Sequence, residues 1–185
     1  MRPHNETTAF QLYTPDERKR RDETVWTLVQ GILAPVQFIV FLASLALVIR
    51  YLATGLGYDL ATASIILKTL TLYAIMITGA IWEKVVFGRY LFAPAFYWED
   101  VFSMLVLALH TAYLAALYTG WLNAEQLMLL ALAAYGTYVI NAGQFVWKLR
   151  LARLQSATDN KGHQGMPTRA SASTYPQPET AGGMQ

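Results

Sequence analysis

The chain has 185 residues, 55% of them hydrophobic and only 14% charged, with a formal net charge of +2. A soluble globular domain carries about 25% charged residues; here 10 of the charges crowd into residues 1–24, which leaves uncharged runs at 24–49, 69–82, 101–124 and 126–147. That pattern excludes a soluble enzyme, and the lack of cysteine excludes thiolate catalysis, disulfides, iron–sulfur clusters and cysteine-based zinc sites.

Residues 1–23 read as a polar segment, too charged for a secretory signal peptide. Within it Thr14 is a plausible N-cap, Pro15 suits a first helical position, and Glu17 completes a capping box. A run of about 18 or more apolar residues reads as a membrane span. The first span is predicted at Val25–Thr54, with Pro35 inside it to kink or loosen it. Gly55–Tyr58 breaks the chain, and a second span follows at Leu60–Phe87 with Lys68 near its start. The third is predicted at Glu99–Tyr118. In the next loop Asn123 is a natural N-cap with Gln126 three positions on, and a fourth span runs over Ala124–Leu151. From Gln155 onward there is no Leu, Ile, Val, Phe or Trp, so residues 155–185 are expected to form a disordered tail. The organisation predicted is a polar segment (1–23), a membrane domain (24–154) and that tail.

Basic residues orient such a chain, because cytoplasmic flanks are enriched in Lys and Arg. Arg18, Lys19, Arg20, Arg21, Lys84, Arg89, Lys148, Arg150 and Arg153 fall on one side, nine in all. Arg50 and Lys68 fall on the other, each placed where a long side chain snorkels to the interface. The expected fold is an all-α membrane protein, a four-transmembrane-helix bundle with both termini cytoplasmic.

Polar groups inside a bilayer are costly and tend to face the bundle interior. At about 100° per residue, Gln30, Gln37 and Ser44 share a face of the first span. Glu99, Ser103, His110 and Tyr113 share one on the third, and Thr137, Asn141, Gln144 and Lys148 one on the fourth. With a rise of about 1.5 Å per residue, His110, Asn141 and Gln37 reach similar depth and are expected to meet near the midplane. Gly136 and Gly143, one heptad apart, read as a close-packing face. Glu83, Lys84, Arg89, Glu99 and Asp100 flank one connection, either as an interfacial ion-pair network or with one carboxyl held protonated as a general acid. The aromatic run of Phe87, Tyr90, Phe92, Phe96, Tyr97 and Trp98 between them reads as an interface belt or as a surface for a flat apolar ring system. His110 is the sole histidine in a span, too few for bis-histidine haem ligation; a single axial metal contact, acid–base work and a structural role stay open. No glycine-rich phosphate loop and no nucleic-acid motif is present.

The stretch GAIWEKVVFGRYLFAPAFYWEDVFSMLVLALHTAYLAAL (79–117) resembles the 3-vinyl bacteriochlorophyllide hydratases, called 2-vinyl under older ring numbering. So do residues 13–22, 26–55 and 130–154, and the likeness covers most of the chain. The resemblance implies an enzyme of bacteriochlorophyll biosynthesis in a bacterial inner membrane, cytoplasmic or intracytoplasmic. It would add water to the C3 vinyl group of chlorophyllide a and give the 3-(1-hydroxyethyl) product. Its partners would be the magnesium chlorin, water, the lipid bilayer and other enzymes of that biosynthesis; no cofactor is implied. Such hydration needs an acid, a positioned water and a base. Glu99 is the favoured acid because it shares a helix face with His110, with Asp100 and Glu83 as the other candidates. His110, Asn141 and Gln37 would orient water, or His110 would ligate the substrate magnesium. Arg89 and Trp98 complete the expected substrate-binding set. A non-catalytic pigment carrier or assembly factor using the same slot is the alternative. A small transporter is disfavoured by the lack of inverted repeats.

Overall fold

The computed structural model describes residues 12–164. Five helices follow one another: α1 (Pro15–Glu23), α2 (Val25–Thr54), α3 (Tyr58–Phe87), α4 (Tyr97–Thr119) and α5 (Ala124–Gln164). The last four are long and apolar enough to cross a bilayer, α5 over Ala124–Leu151. A bilayer core of about 30 Å needs only about 20 helical residues, so the 30-residue α2 and α3 are longer than a perpendicular crossing requires.

Short connections make neighbouring helices antiparallel. The α2–α3 link is Gly55, Leu56 and Gly57, and both glycines take the left-handed conformation, with φ of 69° and 88°. That conformation disfavours any side chain bearing Cβ. α2 packs on α3 and α4 on α5, and the two hairpins close into a bundle through α2–α5 and α3–α4 contacts. Pro35 sits within a continuous α2, where its missing N–H leaves the Gly31 carbonyl without its helical donor. The core is buried aromatic and aliphatic surface, with Phe41 against Tyr135 and Tyr138 and, around them, Val48, Ile65, Leu72 and Val106.

Both expected caps are present. The Thr14 Oγ1 accepts the Glu17 N–H while Glu17 Oε2 accepts the Thr14 N–H at 2.8 Å. Asn123 and Gln126 exchange the same pair of bonds at the start of α5. The polar N-terminal helix is docked onto the bundle. Arg20 donates through Nε and Nη2 to the Val86 carbonyl at 2.9 and 2.7 Å, at the C-terminal end of α3. Tyr13 stacks on Phe87 and leans on Phe96, forming with Leu12, Val86 and Trp82 a second small core at this end of the bundle. Burial pushes the Tyr13 hydroxyl above the usual tyrosine range, against the opposing pull of the Arg21 guanidinium.

α5 departs from expectation by continuing to Gln164, beyond the boundary set at 154. The rest of the expected tail, 165–185, lies outside the described residues. Gly136 and Gly143 differ more: a Cβ built on either would meet nothing within 4 Å. Both lie exposed on the outer face of α5 and pack against no helix of this chain.

Candidate active site

Two buried polar centres lie at different depths in the bundle. The first is at the end shared by the C-terminus of α3 and the N-terminus of α4. Glu83 and Asp100 are both buried, near the adjoining ends of α3 and α4. The pair also grips the α3–α4 connection: Phe92 N–H donates to Asp100 Oδ2 at 2.6 Å and Ala93 N–H to Glu83 Oε2 at 3.4 Å. Phe92 has φ of 59°, the one non-glycine residue with positive φ among the described residues. A bulky residue held there is strained, and surrounding contacts must impose it; the Asp100 bond is one such contact.

Glu99, the next residue back, points elsewhere. Its Oε2 is 2.7 Å from Lys148 Nζ on α5, an ion pair of which only 10% and 16% of the side-chain surfaces remain exposed. The Lys148 ammonium also lies 4.9 Å from the centre of the Phe96 ring. One turn further along, Asn141 Nδ2 donates to Ser103 Oγ at 2.9 Å. The α4–α5 seam thus carries two polar links in succession.

The expected five-membered charge cluster therefore separates. Lys84 turns back to the Gly88 carbonyl at 2.9 Å and Arg89 is exposed; among the described residues none of the five forms an ion pair with another. Glu99 takes its cation from α5 instead. The aromatic run separates as well: Phe96 is buried and Phe87 half-buried against Tyr13, while Tyr90, Phe92, Tyr97 and Trp98 stay exposed.

The second centre lies deeper and corrects two expectations. Lys68 does not snorkel to the interface. It is fully buried, with Nζ 2.8 Å from His110 Nε2 and 4.1 Å from the centre of the Tyr138 ring. The other imidazole nitrogen, Nδ1, is 2.8 Å from the Val106 carbonyl, which can only accept, so Nδ1 carries the hydrogen and Nε2 faces the lysine as acceptor. The nitrogen a magnesium ion would need is therefore occupied by Lys68. Above this pair Ser44 bonds both Ser64 Oγ at 2.7 Å and the Tyr135 hydroxyl at 2.6 Å, tying α2, α3 and α5 together.

His110, Asn141 and Gln37 are all buried as expected, but they do not form one cluster. His110 bonds Lys68 and Asn141 bonds Ser103, while both amide atoms of Gln37, like Asn141 Oδ1, are enclosed without a protein hydrogen-bond partner. Trp98, the other expected substrate contact, is 67% exposed. The inward course of Lys68, its contact with Tyr138 and the docking of Tyr13 are not foreseen by sequence reasoning. For Lys68 one signal is available, since an intramembrane cation ten residues into a span calls for a named partner.

Known proteins resemble the chain closely. The family model for 2-vinyl bacteriochlorophyllide hydratase matches residues 13–151. A protein of that description from Rhodobacter capsulatus is 69% identical over 151 residues, covering 82% of this chain and 88% of its own length. One from Cereibacter sphaeroides is 72% identical over 144 residues, covering 78% and 89%. No solved structure matches.

Proposed function

The chain belongs to the 2-vinyl bacteriochlorophyllide hydratase family, and from that premise we propose that it hydrates the C3 vinyl group of chlorophyllide a with the Glu83–Asp100 pair as proton donor. The substrate's terminal vinyl carbon takes the proton, and the positive charge appears on the inner carbon, where conjugation with the macrocycle spreads it. Water forms a C–O bond at that carbon and gives up a proton, leaving the 3-(1-hydroxyethyl) group. One water is consumed and no electrons are exchanged with a second reactant.

The observation that carries this assignment is the burial of two carboxyls at one connection, where each grips a backbone N–H of the α3–α4 link. Glu99 fits the complementary role. It is the other buried acidic side chain at the start of α4, which supports it as the group that receives the proton from water. His110 is not assigned to magnesium, because Lys68 holds its free nitrogen. The exposed rings of Tyr90, Phe92, Tyr97 and Trp98 beside the pair offer an apolar face for the macrocycle, and exposed Arg89 suits its propionate. Membranes containing only this protein, incubated with chlorophyllide a, should yield a product heavier by one water with a blue-shifted absorbance band. Unchanged pigment in the presence of correctly inserted protein would overturn the reading.

We further propose that both termini face the cytoplasm of a bacterial inner membrane, supported by nine basic residues on one flank against Arg50 alone on the other, Lys68 being buried within the bundle. Reporter fusions after residues 57, 92, 122 and 156 should read outside, inside, outside, inside. A periplasmic signal at 156 would refute that orientation.

A further inference from the structure

An open groove of about 420 Å³ runs along the outer face of α5 where it meets α2. It is lined by Phe38 of α2 and by Tyr138, Gly143, Val146, Trp147 and Arg150 of α5, among others. Its volume is within the range of about 300–1,000 Å³ typical of small-molecule sites. Neither Phe38 nor Trp147 is used by the chemistry proposed above, and both are largely exposed.

Three properties together define what fits. The lining is apolar along its length and ends in one guanidinium. Arg150 is exposed and has no ion-pair partner among the described residues. From Tyr138, beside the Lys68–His110 pair deep in the bundle, to Arg150, the groove follows twelve residues of helix, about 18 Å at 1.5 Å per residue. One leaflet of a bilayer core is about 15 Å thick. The floor is open at Gly143, where a side chain would project into the space rather than into a neighbour.

We propose that this groove is a binding site for an anionic phospholipid of the surrounding membrane, with an acyl chain lying from Trp147 to Tyr138 and the phosphate paired with Arg150. Length decides for a chain rather than a compact flat ring system, and the single cation at the interfacial end decides for an anionic headgroup. Guanidinium is suited to phosphate because its donors match two oxygens at once. Basic positions between spans at a membrane surface are known places for anionic headgroups.

Trp147 supplies the readout. The full-length protein is placed in phosphatidylcholine nanodiscs doped with brominated phosphatidylglycerol or, separately, brominated phosphatidylcholine. The difference in quenching between wild type and Trp147→Phe isolates this one tryptophan. The expected result is at least several-fold stronger quenching of Trp147 by the anionic lipid. Arg150→Gln should abolish that preference, and Gly143→Leu, whose Cβ meets nothing within 4 Å, should lower quenching by both lipids. Equal quenching of Trp147 by the two lipids in the wild type would overturn the proposal, leaving only ordinary annular lipid. Chlorophyllide a displacing the brominated phosphatidylglycerol would also overturn it, by showing the groove to be a pigment site. Vinyl hydration measured in the same nanodiscs tests the enzymatic reading separately, since a catalytically active protein without lipid preference and an inactive one with it are distinct outcomes.

Discussion

Glu83→Gln and Asp100→Asn should each lower the rate of vinyl hydration by about 10²–10⁴-fold, the usual cost of losing a positioned general acid, while chlorophyllide binding survives. The amides are close in size to the acids they replace. Each keeps a carbonyl oxygen, so the amide introduced at position 100 can still accept the Phe92 N–H, and the one at position 83 the Ala93 N–H, that now hold the α3–α4 connection. What each variant loses is a carboxyl group able to give up a proton. Glu99→Gln, compared in the same assay, removes the proposed base and leaves Lys148 Nζ without its 2.7 Å partner. Turnover is measured from product formation, and binding from pigment retained by the purified variant. Near wild-type rates for both Glu83→Gln and Asp100→Asn would reduce the pair to an anchor for the loop.

The largest effect on stability is expected at His110. Replacing it with Leu leaves the Lys68 Nζ enclosed with only the faces of Tyr138 and Tyr135 around it. Leaving a buried donor without its acceptor costs about 1–3 kcal/mol, and more when the donor is charged, chiefly through the group left behind. Lys68→Met removes that group instead and should cost much less. The double variant His110→Leu/Lys68→Met should then be more stable than His110→Leu alone. Unfolding of the four proteins in one detergent gives the coupling directly. Strictly additive costs would mean that the two residues do not depend on one another.

The helices are legible in the sequence because a bilayer leaves a strong mark: the expected bounds Val25–Thr54 match α2 to the residue, and both side-chain caps are visible as short local patterns. Local pattern also marks Glu99, Ser103, His110 and Tyr113 as one face of α4, and all are buried. Pairing between helices is less legible, since face and depth leave several partners within reach. Glu99 and Asp100 are adjacent in sequence, yet the turn of about 100° between them sends one to Lys148 and the other to the Phe92 N–H of the α3–α4 connection. Lys68 escapes for a related reason: length and flexibility allow a lysine to snorkel, and only the position of His110 on a different helix makes an inward course preferable. The docking of Tyr13 has no periodic signal, because it depends on where the ends of α3 and α4 come together.

The Lys68–His110 bond also bears on how the chain enters the membrane during translation. Its two ends are 42 residues apart, one on α3 and one on α4. When α3 leaves the ribosome, Lys68 has no acceptor, and a lysine near the centre of an inserting helix costs about 2.5–3.5 kcal/mol. Lys68 therefore gains its acceptor only after α4 has followed α3. Insertion is expected to proceed by holding α3 at the translocon until the α3–α4 hairpin can leave as a unit, and nascent chains arrested before His110 should remain extractable or associated with the insertion machinery.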